Sequence, residues 1–291
     1  MNRPPPSRPA LSASGRAAVG ALLVLAVLAA VGPSLAARDP LAIDEVLGAR
    51  LLPPLARDAS GAWHALGTDR FGRDVLVRIL LAARISLAVG IGGSLLATAV
   101  GIVVGAVSGW WRGAVDRIAM AVSDAMLAIP RLILLLLCAA LWEPGLWTVL
   151  AVLSLTGWMS VARLVRAEVI TLGTQPFVEG ARAAGLSPWR TLWRHVVPNA
   201  LGPAIVALTL GVGNAMLLEC GLAFLGLGVQ PPTPSWGNMI AGGRDLIVTA
   251  PWVALAPGLA LIGTVLACTV LGDALRDRLA GEDVRTLGER A

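Results

Sequence analysis

The chain has 291 residues, of which 56% are hydrophobic and only 14% charged, so its composition excludes an ordinary soluble globular protein and favours a bilayer protein. All 23 basic residues are arginine, and a chain without lysine cannot form the phosphate-binding loop of P-loop ATPases, whose lysine contacts the nucleotide. The formal net charge of +5 suits arginine-rich cytoplasmic loops and requires no nucleic-acid partner.

The N-terminal region divides into a polar leader and a first apolar stretch. Residues 1–16 are rich in proline, serine and arginine, which predicts a disordered cytoplasmic leader. Residues 17–37 carry no charge and are long enough to span a bilayer. The small residues at the end of this stretch also resemble a signal-peptide cleavage site, but its apolar length favours a retained first transmembrane helix.

Residues 38–84 are expected outside the membrane and contain the stretch "TDRFGRDVLVRIL". Its periodicity predicts a short amphipathic helix on the bilayer surface. The charged residues Asp69, Arg73 and Asp74 are candidates for partner docking or for bracing an external gate. Trp236, in a second external segment rich in proline and glycine, is a further candidate for the same role.

Five further segments have the apolar length of a spanning helix. They are residues 85–111, 118–142, 144–162, 199–224 and 246–272. Together with the first stretch they predict an all-α membrane protein with six transmembrane helices.

The distribution of arginine predicts the orientation, because cytoplasmic loops carry an excess of basic residues. Arginines recur in the leader, in the segment 163–198 and in the tail 273–291, which favours cytoplasmic N and C termini. Residues 38–84 depart from this rule with seven arginines, although six acidic residues balance them.

Three charged residues lie within predicted spans, where a charge facing lipid costs about 2.5–3.5 kcal/mol or more at the bilayer centre. Asp124 and Arg131 are separated by two helical turns with Pro130 between them. We expect an ion pair within the membrane assembly or a role in a pathway or gate. Glu219, near the external end of its helix, is expected to line the pathway or to bind a substrate amino group.

Small residues recur at every fourth position of the second predicted helix, from Gly93 through Ala97, Gly101 and Gly105 to Gly109. Such a row permits close approach of two helix backbones. The row predicts tight helix packing, and a sliding interface is the alternative.

The polar segment 163–198 is predicted to form two short helices. Pro176 suits the first helical position and Gly185 a left-handed end. Ser187 suits the N-cap of the second helix, which Pro198 is expected to end. The segment fits an amphipathic surface helix, or a docking element for a soluble partner that presents Glu179 and Arg182.

Metal and catalytic sites are not expected. The two histidines, His64 and His195, and the three cysteines lack metal-ligand spacing, and neither histidine lies in a span beside a nucleophile. The cysteines are Cys138, Cys220 and Cys268.

The order Glu179, Ala181, Gly185 and Pro198 resembles the EAA loop of ABC-importer permeases. The chain departs from that motif at its second position, where Gly180 replaces alanine, and at Val197, where leucine usually precedes the proline. Gly180 is expected to destabilise the short helix by about 1 kcal/mol relative to alanine.

Other stretches resemble the smaller-subunit type of the dipeptide, oligopeptide and nickel permeases. They are "LGTDRFGRDVLVRILLAARISLAVG", "DAMLAIPRLILLL", "LAFLGLGVQPPTPSWGNMI" and "LGDALRDRL". The resemblance implies the transmembrane domain of a type I ABC importer in a bacterial inner membrane, with a five-helix core at residues 85–272. It implies a second homologous permease, two ATPase domains that use ATP and Mg²⁺, and an extracytoplasmic solute-binding protein. No cofactor is expected on this chain. The residues implied in ATPase coupling are Glu179, Gly180, Ala181, Arg182, Gly185 and Pro198.

Import of oligopeptides or dipeptides is the favoured function. Nickel and glutathione permeases share these motifs, although a histidine-poor chain offers little to a nickel complex. An ion-coupled secondary transporter using Asp124, Arg131 and Glu219 is a further alternative, as is an intramembrane enzyme. The secondary transporter has no need for the spacing from Glu179 to Pro198.

Overall fold

The computed structural model describes residues 11–35 and 46–288. Most of the predicted leader, the start of the external segment and residues 289–291 therefore lie outside the described residues. The helices and strands are α1 Ala13–Val31, α2 Val46–Ala49, β1 Ala56–Arg57, β2 Trp63–His64, α3 Val75–Trp111, α4 Gly113–Ala128, α5 Arg131–Ala139, α6 Leu146–Leu172, α7 Pro176–Ala183, α8 Pro188–Thr191, α9 Val197–Phe224, α10 Trp236–Gly243 and α11 Trp252–Gly288.

Five helices among the described residues are long and apolar enough to cross a membrane, and the bent pair α4 and α5 makes a sixth if it is one span. The predicted all-α architecture is thus confirmed, and the predicted number of six spans is reached if the bent pair is one span. Two strands form one small antiparallel hairpin in the segment before α3, pairing Ala56 with His64 and Arg57 with Trp63.

The row of small residues on α3 packs against α6. A Cβ placed on Gly105 would lie 2.4 Å from the Ala162 carbonyl oxygen, and one on Gly109 would lie 2.8 Å from the Arg166 carbonyl oxygen. No side chain fits at these positions, because real Cβ atoms do not approach within 3.0 Å of another heavy atom. The row therefore sets the distance between the two helix backbones.

Two helices extend beyond the predicted spans. α3 begins at Val75, so the predicted amphipathic surface helix is the first part of the same 37-residue helix. Asp74 caps that helix by accepting a hydrogen bond from the Val77 amide at 3.0 Å. α6 continues to Leu172, ten residues past the predicted end at residue 162, because Val165 and Val169 stay in the core.

Pro198 does not end the second helix of the 163–198 segment. The chain stays helical from Pro188 to Phe224, and the five residues Leu192–Val196 form one π-helical turn just before the proline. Proline has no amide hydrogen, and its ring crowds the carbonyl group one turn earlier in an α-helix. In a π-helical turn that carbonyl group lies in a different position, which relieves the contact with the ring. The π turn therefore allows the helix to continue past Pro198.

Helices α4 and α5 meet at a bend of 94°. The bend follows from Pro130, because its ring forces the preceding Ile129 into an extended conformation with φ −86° and ψ 129°. Asp124 and Arg131 consequently belong to two differently directed helices rather than to one helical face.

One face of the molecule holds the start of α1, the later part of α11 and the segment from α7 to α8. A Cβ on Gly15 would lie 2.6 Å from Ala274 Cβ, and one on Gly202 would lie 3.6 Å from a Leu279 methyl group. Trp189 of α8 lies 5.5 Å from Trp111 at the end of α3, measured between ring centroids.

The opposite face holds residues 46–74 and α10. The Trp252 indole donates to the Thr68 carbonyl oxygen at 3.1 Å, and Arg70 donates to the Gly242 carbonyl oxygen. Arg84, at the predicted membrane boundary, donates to the last carbonyl groups of α1 at 2.7 and 2.8 Å. Arg70 and Arg84 belong to the arginine-rich segment 38–84 that departs from the charge rule, and both are held by hydrogen bonds to backbone carbonyl groups of this chain.

Candidate functional site

Helix α7 is a short protruding helix attached by a single fully buried side chain. Val178 is buried among Leu192, Val196 and the end of α6, whereas Phe177 is 44% exposed. Glu179 is exposed on the same helix, and no hydrogen bond or ion pair of its carboxylate is found among the described residues. Its position in the first turn is favourable, because the helix dipole is positive there.

The end of α7 is fixed by a Schellman turn. Gly185 has a φ of 77°, the left-handed conformation that glycine adopts without strain. The Leu186 amide donates to the Ala181 carbonyl oxygen at 3.2 Å, and the Gly185 amide donates to the Arg182 carbonyl oxygen at 3.0 Å. The predicted role of Gly185 in the turn agrees with this geometry.

Arg182 and four tryptophans join α7 and α8 to the ends of the spans. The Arg182 guanidinium lies 5.1 Å from the Trp110 ring centroid, a cation–π distance. Trp111, Trp189 and Trp193 form a row with centroid separations of 5.5 and 5.6 Å. These contacts hold both short helices against the membrane helices as one unit.

The structure gives Asp124 a partner other than Arg131. Asp124 forms an ion pair with Arg163 of α6, and Asp116 forms a second pair with Arg166 at 2.5 and 2.6 Å. The expected pair between Asp124 and Arg131 is not formed within the described chain, because the 94° bend directs the two side chains differently. The polar link is instead between α4 and α6.

Glu219 is fully buried against the short helix α10. The Ser235 hydroxyl donates to the Glu219 carboxyl oxygen at 2.8 Å and accepts from the Asn238 amide at 3.1 Å, which caps α10. Gly237 leaves space for the carboxyl group, since a Cβ there would lie 2.7 Å from Glu219 Oε2. Glu219 therefore attaches α10 to α9.

Trp236 is completely buried, so its side chain offers no surface to an external partner in this conformation. Its indole donates to the Ile79 carbonyl oxygen at 3.0 Å, and its amide donates to the Ser86 hydroxyl at 3.0 Å. Trp236 thus fastens α10 to the first turns of α3.

Asp69, Arg73 and Asp74 organise the segment before α3. The Arg73 guanidinium donates to Asp69 at 2.8 Å, and Asp69 also accepts from the Phe71 and Arg73 amides. Asp74 accepts a hydrogen bond from His64 at 2.8 Å besides capping α3. This role of His64 has no signal in the sequence, because a pairing ten residues apart in an irregular segment follows no period.

A cavity of about 330 Å³ lies between α3, α6 and α9, and Arg131 is the one arginine among the residues that line it. Its other polar side chains could not be predicted from the sequence, because the cavity forms only when distant helices pack. These are Ser94, Thr98, Ser160 and Asn214.

Residues 101–281 match the protein family described as "Binding-protein-dependent transport system inner membrane component". The chain belongs to this family. The permease is therefore an integral membrane subunit of a transport system and not an enzyme.

Relatives with similar sequences carry related names. The permease is 35% identical over 258 residues to the oligopeptide transport system permease protein OppC of Bacillus subtilis, covering 89% of this chain and 82% of the relative. It is 41% identical over 226 residues to a protein of Brucella suis named as a peptide permease, covering 77% and 75%. A second Brucella suis protein, named as a peptide transport system permease, is 39% identical over 259 residues, covering 89% and 84%.

The fold is also that of a solved ABC importer. A structure described as an inward-facing conformation of the MetNI methionine ABC transporter matches with a TM-score of 0.58 and 20% identity, covering 70% of the permease and 96% of that chain. The permease thus has the fold of a type I ABC importer transmembrane domain, as the resemblance of its motifs implies.

Proposed function

We propose that the permease translocates peptides, as oligopeptides or dipeptides, across a bacterial inner membrane. The relatives named as peptide and oligopeptide permeases support this substrate class. Nickel or glutathione as substrate has no such support among them, and neither has an ion-coupled secondary carrier.

The proposal includes the partners of an ATP-driven importer. A second homologous permease completes the membrane pathway, and an extracytoplasmic binding protein delivers the substrate. Two ATPase domains bind ATP and Mg²⁺ and hydrolyse the nucleotide, while this chain binds no cofactor. The absence of lysine supports the assignment of ATP hydrolysis to the partner domains, because this chain has no phosphate-binding loop.

Helix α7 is proposed to dock in the ATPase and to transmit its closure to the membrane helices. The observation that carries this role is the exposed Glu179, whose carboxylate has no partner among the described residues. It lies on a helix that is fixed by Val178 at one side and by the Gly185 turn at its end. The cation–π contact of Arg182 and the tryptophan row connect α7 and α8 to α3. A displacement of α7 by the ATPase is therefore transmitted to the membrane-spanning helices. Phe177 is available for apolar contact with the same partner.

Gly180, Ala181 and Pro198 have supporting roles in this proposal. Gly180 faces open space, so a partner surface can approach the backbone closely there. Ala181 supplies a carbonyl of the turn, and Pro198 follows the π turn that joins α8 to the span.

The outer segment is proposed to receive the binding protein. Asp69, Arg73 and Asp74 act by holding that segment in shape, and Trp236 braces the outer end of α3. In the membrane, Asp124 and Glu219 act as links between helices, and Arg131 faces the pathway.

The coupling role is tested by charge reversal at Glu179. The permease is co-expressed with its second permease and ATPases, reconstituted with the binding protein, and supplied with a labelled peptide library. Glu179→Arg is expected to abolish ATP-dependent uptake and to weaken assembly or uncouple ATP hydrolysis. Glu143→Arg makes the same charge change in an exposed turn between α5 and α6, and is expected to keep uptake.

The result also decides between the transport classes. Equal uptake by both variants, or uptake driven by an ion gradient without ATP, would reject the docking role and favour a secondary carrier. Uptake of nickel or glutathione with no peptide uptake would reject the substrate class alone.

A further inference from the structure

Arg131 occupies a corner of the membrane domain that gives its guanidinium access to the cavity between α3, α6 and α9. It is the first residue of α5, directly after the 94° bend. Gly157 of α6 makes room for it, since a Cβ on Gly157 would lie 3.2 Å from Arg131 Nη2. Arg131 also lines a second space of about 150 Å³ beside α4 and α5, so the guanidinium lies between two cavities.

The positive charge of Arg131 is not neutralised within the described chain. Its Nε is buried with no hydrogen-bond acceptor, and none of the ion pairs among the described residues includes this arginine. Asp124, seven residues earlier in the sequence and on the other side of the bend, is engaged by Arg163. No aspartate or glutamate is among the residues that line either cavity.

A half-buried guanidinium that has no acidic partner among the described residues, and whose Nε is buried without an acceptor, favours an anionic ligand. Its planar fork of N–H donors matches a carboxylate, which it binds through two parallel hydrogen bonds. Around it, the Ser160 hydroxyl and the Asn214 amide add polar groups that suit an amide backbone. The volume of about 330 Å³ is at the lower end of the range for ligand pockets, about 300–1,000 Å³, so it suits a small ligand or one end of a longer one.

We propose that Arg131 binds the terminal carboxylate of a peptide as the peptide passes through the membrane domain. This inference rests on the proposed function, because it names the group by which the permease recognises that substrate. Hydrogen bonds from Arg131 replace those to water that the carboxylate loses when the peptide leaves the binding protein. A permease without this charge conducts a peptide whose carboxylate is blocked, but it conducts the free acid poorly.

The test compares one labelled peptide in two forms, with a free C-terminal carboxylate and with a C-terminal amide. The peptide is chosen so that the binding protein binds both forms. ATP-dependent uptake into proteoliposomes is measured for wild type, Arg131→Gln, Arg131→Lys and the control Arg84→Gln. Each variant's uptake is divided by that of wild type for the same peptide, which removes the preference of the binding protein.

We expect Arg131→Gln to lower uptake of the free acid about tenfold or more relative to the amide, since hydrogen bonds to charged groups are worth at least that factor. Arg131→Lys keeps the charge without the planar fork and should give an intermediate ratio. Arg84→Gln removes an arginine that binds α1 carbonyl groups outside the cavity, so the two peptides should be affected alike.

Three results would overturn the inference. Equal loss of both peptides in Arg131→Gln assigns the arginine to folding or to an ion pair with the second permease. No loss of either peptide removes any role in transport. Failure of wild type to move either peptide, with another solute transported, rejects the peptide function itself and this inference with it.

Discussion

Gly180 and Gly185 lie five residues apart in and after α7 but adopt different backbone conformations. Gly180 is helical with nothing within 4 Å of the place where a Cβ would stand. Gly185 has a φ of 77° and closes the Schellman turn. Helix propensity therefore opposes glycine at the first position, whereas the left-handed conformation requires it at the second.

The same substitution is thus expected to act in opposite directions at these two glycines. Gly180→Ala should stabilise α7 by up to about 1 kcal/mol and slow amide exchange in residues 177–186 by about fivefold. Gly185→Ala should destabilise the turn by about 1–2 kcal/mol and speed that exchange. Hydrogen exchange of the two variants measures both effects, and changes of the same sign would contradict the turn geometry.

Ser235 carries two functions with one hydroxyl group, since it caps α10 and donates to the buried Glu219. Ser235→Ala is expected to destabilise the permease by about 1–3 kcal/mol, because a buried carboxyl group loses its partner and a helix loses its cap. Unfolding in SDS, followed by circular dichroism, provides the measurement. Thr233→Ala, in the exposed turn just before, should have little effect.

A double variant tests the link between α9 and α10. If the Ser235 hydroxyl acts through Glu219, Ser235→Ala should cost less in a Glu219→Gln background, with a coupling of about 0.5–3 kcal/mol. Strictly additive costs would show that the hydroxyl acts only as a cap.

At the scale of helices, the interface of α3 and α6 depends on the absence of side chains. Gly105 faces the Ala162 carbonyl group so closely that any larger residue must separate the helices. Gly263 of α11, in contrast, faces open space on an exposed part of its span. The two positions form a matched pair for one substitution.

Gly105→Leu is expected to destabilise the permease by about 1–3 kcal/mol or more, because overpacking forces the backbones apart. Gly263→Leu should be neutral or stabilising, since leucine has the higher helix propensity. The midpoint of SDS unfolding compares them. Equal midpoints would mean that α3 and α6 are not in close contact in the membrane.

At the scale of the whole molecule, the two faces predict where each segment lies relative to the membrane. The α7 segment lies on the face that holds the start of α1, and the β hairpin lies on the opposite face. With cytoplasmic termini, α7 is cytoplasmic and the hairpin is external.

Labelling with a membrane-impermeant maleimide checks this topology in a variant whose three cysteines are replaced by alanine. In spheroplasts, Ala59→Cys should be labelled directly, whereas Ala183→Cys should react only after permeabilisation. Both residues are exposed, so the difference reports the side of the membrane. The reverse pattern would invert the orientation, and labelling of both in intact spheroplasts would reject the two-face arrangement.

The sequence by itself determined the features that depend on neighbouring residues. Apolar runs gave the spans, because their length must match the bilayer. The spacing from Glu179 to Gly185 gave α7 and its turn, since caps and turns are local interactions. The bounds of α3 and α6 were less predictable, because buried contacts with other helices extend them beyond the apolar runs.

Only the tertiary structure decided which polar groups meet. Asp124 pairs with Arg163, 39 residues later, and Ser235 binds Glu219, 16 residues earlier. Neither distance follows a helical period, so one sequence contains no signal for it. Arg131 faces a cavity because Pro130 bends the chain and Gly157 leaves space on another helix. The partners of the charged side chains in this permease are therefore decided by how the helices pack, whereas the number of apolar helices can be read from the sequence.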